Sequence, residues 1–537
     1  MYSCRLTRMS FFTGSTLVDI LLAVAGFTYL VYWFMTNNDE YWNKRGVRNV
    51  KKGLLLQSIL GKKSQNEAIQ ELYDTFKEER YGGFFHVKKP VLLVRDPELI
   101  HRIMVKDFTS FQDRGFHGNT NDPLTSSLFS LRGQEWRSLR YKLTPTFSAG
   151  KLKGMFEQLS KCGDSMMDHI KGLARDNEHV ECKEFLGLFT LDVIASVAFG
   201  LEFKPGSPEF NDFVKTVTQI HIDQSPLKFI KLAFLTLFPK LSLLIGARPF
   251  PKEIGDYFMN LTRSTLNYRK ENNIKRNDYF QLLMTLKEQE DSGKDIGLAS
   301  DPSEEDVVVN QMEFSGKDTT KTKSKMFSDV AISANTFVFL SAGTESTSSI
   351  ISMTLYELSQ HQDIQQRLQR EVDSVLKSQG GWNYQTVKDM IYLDQIVQEA
   401  QRLYPNFVNL QRVCVQDYRV PDSDLVIEKG VLVYIPHYSL QRDPQYHPDP
   451  EQFKPERFDD NNFKPSSTYM PFGDGPRICI AMRFALMEVK TCIAKIMSEY
   501  TVKLSPKTKI PLQMKRRTVV PSVEGGIWLN FERRKAA

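Results

Sequence analysis

No proline precedes Pro90, so nothing in the first part of the chain is stiffened by a fixed φ. Cysteine is sparse, with six residues at positions 4, 162, 182, 414, 479 and 492. No two of them have metal-site spacing and there are too few for a disulfide framework, which fits reduced thiols facing a cytosolic environment. No Gly-x-Gly-x-x-Gly follows a strand, so the chain carries no nucleotide fingerprint of its own. The charge excess is small, +6 over 537 residues, and gives no reason to invoke nucleic acid. Tryptophan is scarce at 5 residues, but phenylalanine reaches 36, enough apolar volume for a large interior. Internal repeats are not visible.

What is present begins with an apolar run over residues 16 to 35. About 20 residues at 1.5 Å each match a bilayer core of about 30 Å, so this segment reads as a transmembrane helix. Asp19 lies near its start, where an acid costs far less than at mid-bilayer. A cleaved signal peptide is the rival, but the run is long and no small-x-small site follows. Lys44, Arg45, Arg48, Lys51 and Lys52 outnumber Arg5 and Arg8, which places the bulk of the chain in the cytosol. Residues 1–36 are thus a tail and anchor, 37–53 a charged linker and 54–537 the main domain. The stretch from Gly82 to Arg95 alternates and predicts a small hairpin sheet.

Residues 471 to 485 are the most informative part of the chain. Gly473, Gly475 and Pro476 exclude regular structure and turn backbone N–H groups toward one point, while Met482, Ala485 and Leu486 begin a helical stripe. Cys479 stands between loop and helix, where N–H donors and a helix N-terminus should lower a thiol's pKa. Arg477 adds a positive charge suited to a carboxylate. Phe472, Gly475, Arg477 and Cys479 fill a Phe-x-x-Gly-x-Arg-x-Cys pattern, which chance would produce in such a chain with a probability on the order of 10⁻³. A buried structural cysteine is the blander alternative. The stretch resembles the haem-binding loop of the cytochrome P450 family, in which this cysteine is the axial iron ligand. Ala481 stands where that family usually has glycine.

Three further blocks follow in that family's order. Trp136 and Arg140, one helical turn apart, resemble its Trp-x-x-x-Arg pair, which meets a haem propionate. The wider run over residues 107 to 156 resembles the insect microsomal branch. Ala342-Gly343-Thr344-Glu345-Ser346 resembles the oxygen-activation motif of the family's central helix, whose glycine makes room for dioxygen while acid and alcohol relay protons; Ser346 holds the alcohol position. A glycine in mid-helix costs roughly 1 kcal/mol, so something should approach closely there. Glu399 and Arg402, three apart on a helix ended by Pro405, resemble the Glu-x-x-Arg pair. Arg457 completes that structural triad, and Arg412 matches a propionate-binding strand arginine. Phe407 to Leu410 and Val519 to Gly526 would line the pocket. Residues 226 to 247, strongly apolar and bounded by lysines, match the segment that caps the substrate entrance and dips into the membrane; a buried core helix is the alternative. Residues 287 to 325 read as a mobile loop.

The resemblance implies a mainly α haem domain with a small β-sheet region behind an N-terminal transmembrane helix. It further implies haem b as cofactor and a monooxygenase that puts one atom of O₂ into small hydrophobic substrates, xenobiotics or endogenous lipophiles and hormones. Its implied partners are NADPH-cytochrome reductase, docked near Arg132, Arg137, Lys142 and Arg483, and in some members cytochrome b5. The implied location is the endoplasmic reticulum membrane with the catalytic part cytosolic. The family's usual proline-rich hinge after the anchor is absent, so the linker should be loose. Two alternatives remain: a haem-thiolate isomerase or dehydratase, against which Glu345 and Ser346 argue, and a non-enzymatic haem-thiolate ligand-binding protein, for which Ser346 is the only support.

Overall fold

The computed structural model describes all residues except 1–15, 37–39, 51–61, 87–88, 117, 120, 204–206, 221–226, 229–230, 232–233, 236–237, 294–325, 460–464, 517, 519 and 535–537. Helices dominate, and the longest of them, Asp329–Gln360, has 32 residues, about 48 Å of rise. We call it the central helix. Ser328 caps its start by accepting from the Ala331 N–H. Its interior is rich in Ser and Thr yet buried, because the hydroxyls of Thr336, Thr344, Ser352 and Thr354 each donate to the carbonyl four residues earlier. Helices Cys182–Ile194, Lys252–Glu271, Ile391–Leu403 and Met482–Glu499 pack against it.

Nine strands are described: β1 (Tyr81–His86), β2 (Lys89–Val94), β3 (Val180–Glu181), β4 (Leu410–Val413), β5 (Tyr418–Arg419), β6 (Val426–Ile427), β7 (Leu432–Ile435), β8 (Tyr500–Leu504) and β9 (Trp528–Arg533). The main sheet has the order β1-β2-β7-β4. The expected hairpin is its outer pair, with Tyr81 opposite Val94, and β2 then runs parallel to β7 with Val91 opposite Leu432. Leu92, Ile103, Val433, Ile435 and Met470 make a sheet-side core. A larger helical core holds Leu139, Phe156, Ile194, Phe258, Leu340, Ile396 and Ile493.

Two expectations about the N-terminal part are corrected. A helix does run over Thr16–Thr36, but among the described residues no helix is long and apolar enough to cross a membrane. The linker, in turn, is not loose where it is described. Trp42 is 1% exposed and its indole N–H donates to the Phe84 carbonyl at 3.0 Å. The indole lies so close over Gly83 that a Cβ there would come within 2.4 Å of it. Gly83 also exchanges backbone hydrogen bonds with Arg48 and Val50, so residues 48–50 extend the edge of the sheet. The ring of Tyr41 carries the Arg45 guanidinium at 3.7 Å, and both residues reach Glu428. Burying an indole is worth several kcal/mol, and this docking fixes the described residues from Tyr41 to Val50 to the sheet edge.

Candidate active site

The cysteine loop leaves the sheet-side core at Met470 and joins the helical core through Phe472, Ile480 and Ala481. Gly473 and Gly475 have φ of 79° and 68°, a left-handed conformation open to glycine and strained for other residues. A Cβ on Gly475 would lie 1.9 Å from the Met104 carbonyl oxygen, so only glycine fits. The Cys479 N–H donates to the Phe472 carbonyl at 2.9 Å, which closes the loop and accounts for the pairing of those two positions. Among the described cysteines, Cys162, Cys182, Cys414 and Cys492 are buried and Cys479 alone is half-buried. Burial pushes its thiol up, opposed by the Ala481 N–H, Arg140 and Arg114. The expected lowering is present as these opposing effects, but desolvation outweighs them in the protein alone.

Arg140 and Arg114 act on the sulfur and Arg412 and Arg477 stand near Arg114, with little negative charge among the described residues to meet them. Burial holds Arg140 down to about 10, Arg412 to about 9 and Arg477 to about 8, and they also repel one another or Arg114. Arg114, itself held down to about 10 by burial, donates to the Arg477 carbonyl at 2.7 Å. Arg477 lies over Trp136 at 3.8 Å and donates to the carbonyls of Gln112, Leu128 and Leu131. Asp113, 3.7 Å away, is its nearest carboxylate. Arg477 is therefore largely committed to protein groups. Arg140 makes no hydrogen bond to a protein side chain or carbonyl among the described residues, and the Arg412 Nε is buried without a partner. Buried cations left in this state call for an anion.

On the central helix, Gly343 faces Ile194, where a Cβ would come within 2.9 Å of the Ile194 side chain. Helix packing accounts for this glycine. The Ser346 hydroxyl donates to the Ala342 carbonyl at 2.6 Å. Glu345 pairs with Lys183 at 3.5 Å, and that lysine is also hydrogen-bonded to the Ser522 hydroxyl. Burial lowers the Lys183 pKa, opposed by Glu345. Glu345 and Ser346 are thus engaged with different partners rather than with each other.

Glu399 and Arg402 are both fully buried and paired through two bonds of 2.8 and 2.9 Å. Glu399 also accepts from the Lys454 N–H at 2.9 Å and lies 3.4 Å from Arg457. Arg402 and Arg457 donate on to the carbonyls of Gln441, Gln452, Pro448 and Asp449. One carboxylate therefore ties the helix Ile391–Leu403 to the irregular chain leading toward the cysteine loop. Tyr469 adds a bond from its hydroxyl to the Gln398 carbonyl at 3.2 Å.

The cytochrome P450 family model matches residues 51–528. The chain belongs to the cytochrome P450 family. Cytochrome P450 6a2 of Drosophila melanogaster is 35% identical over 530 residues, covering 96% of this chain and 99% of that protein. Cytochrome P450 6k1 of Blattella germanica is 34% identical with 97% and 98% covered, and cytochrome P450 6d3 of Musca domestica 34% with 92% and 95%. The resemblance to the insect branch holds along nearly the whole length.

Haem b is the cofactor of this P450, and the residues fit it. Arg140, Arg412 and Arg114 could hold two propionates, and Cys479 could offer its sulfur to the iron. Arg114 was not among the expected haem-binding residues. It lies directly after Asp113 in the run over residues 107 to 156, but its partner, the Arg477 carbonyl, is distant in sequence. Of the basic residues expected to meet a reductase, Arg132 is exposed and donates to the Phe116 carbonyl. Arg137, Lys142 and Arg483 are half-buried.

Proposed function

We propose that Cys479 supplies the axial thiolate and that Arg114, Arg140 and Arg412 hold the propionates, with Arg477 and Trp136 as the stacked wall behind them and Phe472 closing the loop. The half-buried sulfur beside Arg140 and Arg114 carries this reading. Bound there, haem supplies the activation of O₂, with two electrons from NADPH, that places one oxygen atom in substrate and releases the other as water. The protein residues handle protons and exclude water. Ser346 donates its hydroxyl hydrogen bond to the Ala342 carbonyl, which leaves its oxygen lone pairs to accept from another donor. Glu345 exchanges protons near it while Lys183 steadies its charge. Glu399, Arg402 and Arg457 hold the cysteine loop in register.

The reaction class, that of a cytochrome P450 monooxygenase, follows from the family. Its substrates are small and apolar, in our reading lipophilic xenobiotics or hormones. NADPH-cytochrome reductase docks on the face bearing Arg132, Arg137, Lys142 and Arg483, and cytochrome b5 competes for the same basic face. We further propose attachment to the endoplasmic reticulum membrane through Thr16–Thr36. Its 21 residues would rise about 31 Å, and Leu17, Ile20, Leu21, Leu22 and Val24 are all exposed. Leu227, Leu244 and Ile245, also exposed, give a second, interfacial contact. The catalytic part then faces the cytosol.

The test is a reconstitution of the haem-loaded protein with NADPH-cytochrome reductase. Oxygenated product and NADPH consumption that rise with an apolar substrate are expected. Haem binding with neither would turn the reading toward a ligand-binding protein, and rearrangement of a peroxide without NADPH toward an isomerase.

A further inference from the structure

Around Ser346 the carbonyls of the central helix accept an unusual set of side chains. The Ala342 carbonyl takes the Ser346 hydroxyl at 2.6 Å and the Glu345 carbonyl takes the Ser348 hydroxyl at 3.2 Å. Two more donors come from outside the helix. Thr190, on the helix Cys182–Ile194, donates its hydroxyl to the Thr344 carbonyl at 3.1 Å. Asn406, one residue beyond Pro405 at the end of the helix that bears Glu399, donates its side-chain amide to the Ser346 carbonyl at 3.2 Å. Hydroxyls bonded back onto a helix loosen and bend it, so this turn needs outside support.

Asn406 is an expensive choice for that support. Its other amide atom, Oδ1, is buried and has no hydrogen-bond partner among the described residues, a cost that an apolar residue of the same size would avoid. Swapping the two amide atoms would set an oxygen against the Ser346 carbonyl oxygen, so the orientation is fixed by the contact. What the asparagine contributes and leucine could not is the N–H on Ser346. Serine also needs it more than threonine would. Threonine's second heavy atom on Cβ restricts χ1 in a helix, whereas serine has all three staggered wells to choose from.

We propose that Asn406 is a positioning residue for Ser346: its amide pins the Ser346 backbone, holds the hydroxyl on the Ala342 carbonyl, and so replaces the restriction that a threonine would carry in its own side chain. The proposal rests on the reading of Ser346 as part of the proton relay. It adds a link from the helix of the Glu399–Arg402 pair to the oxygen-activating turn.

The test uses the haem-loaded full chain with reductase and one turned-over substrate. Asn406→Leu keeps the branched shape, though it is bulkier, and removes the donor, and Asn406→Ala guards against a misfit of leucine. Each is made with Ser346 and with Ser346→Thr. With Ser346, product per NADPH should fall about threefold, the loss of one choice among three rotamers, and peroxide should rise. With Ser346→Thr, the same Asn406 changes should have little effect. An equal fall in both backgrounds would show that Asn406 does not act through Ser346 and would overturn the proposal. Amide hydrogen exchange over residues 342–350 reads the positioning without turnover; the loss of one hydrogen bond should speed it about fivefold, and unchanged exchange would also overturn the proposal. Ser346→Ala is the control on the underlying reading. If it leaves the peroxide-to-product ratio unchanged, the relay assignment fails, and the exchange result alone then decides whether Asn406 positions the turn.

Discussion

Arg477 and Trp136 are stacked, with the guanidinium carbon 3.8 Å from the ring centroid. The plane of the guanidinium that rests on the indole also sends its edge to three carbonyls, those of Gln112, Leu128 and Leu131. A lysine has the charge but neither the plane nor the fork. Arg477→Lys should therefore lose stability on the order of 3 kcal/mol, from at least two stranded carbonyls and the stack. The denaturation midpoint of the haem-loaded protein measures it; a midpoint equal to that of the parent would show that charge alone matters there.

Replacement of the Cys479 sulfur separates folding from chemistry. Cys479→Ser should leave the loop closed, since the closing bond to Phe472 is made by the backbone N–H. It should abolish the red-shifted band of the reduced carbon monoxide complex, which would depend on a thiolate from Cys479. Persistence of that band in the serine variant would remove the central assignment.

A buried acid predicts an unusual dependence on pH. Glu488 is fully buried, both carboxylate oxygens lack a hydrogen-bond partner among the described residues, and burial pushes its pKa well above the ordinary value. Because the folded pKa is raised, the unfolded chain loses this proton first. The group's contribution is then intact below the unfolded carboxyl range and is lost as pH rises through and beyond it, at about 1.4 kcal/mol per pH unit. Glu488→Gln should match the parent near pH 4 and be the more stable protein at pH 7. Denaturation across that range checks it, and parallel curves would mean that Glu488 is charged in the fold.

Trp42→Ala should cost about 3–5 kcal/mol locally by emptying the space over Gly83. The haem spectrum should survive, because the indole lies on the outer edge of the sheet. Limited proteolysis is the measurement: cleavage within residues 40–50 should become fast in the variant while the parent resists. Equal cleavage would show that the segment is held by the Tyr41, Arg45 and Glu428 group instead.

The parts of this site that were legible in the sequence are those where the backbone itself dictates the residue. Gly475 must be glycine because a carbonyl oxygen lies where its Cβ would be, and such needs leave fixed spacings. Glu399 and Arg402 were legible for a similar reason, since one helical turn brings them together. Gly343 was visible as an anomaly, but its cause was not: the contact is Ile194, on another helix. Arg114 and Asn406 escaped because each acts on a carbonyl remote in sequence, and a carbonyl has no signature in the chain. Trp42 was hidden by its neighbours, Asn43, Lys44 and Arg45, whose polarity suggested a solvated linker. Local composition cannot report that a sheet edge will cover one indole among them.

The cysteine loop begins among the side chains of one core and ends among those of the other, with Gly475 pressed on the Met104 carbonyl of the sheet side. The sulfur therefore sits on a seam. A shift of one core against the other would be felt at Cys479, because the backbone on either side of it is packed into both.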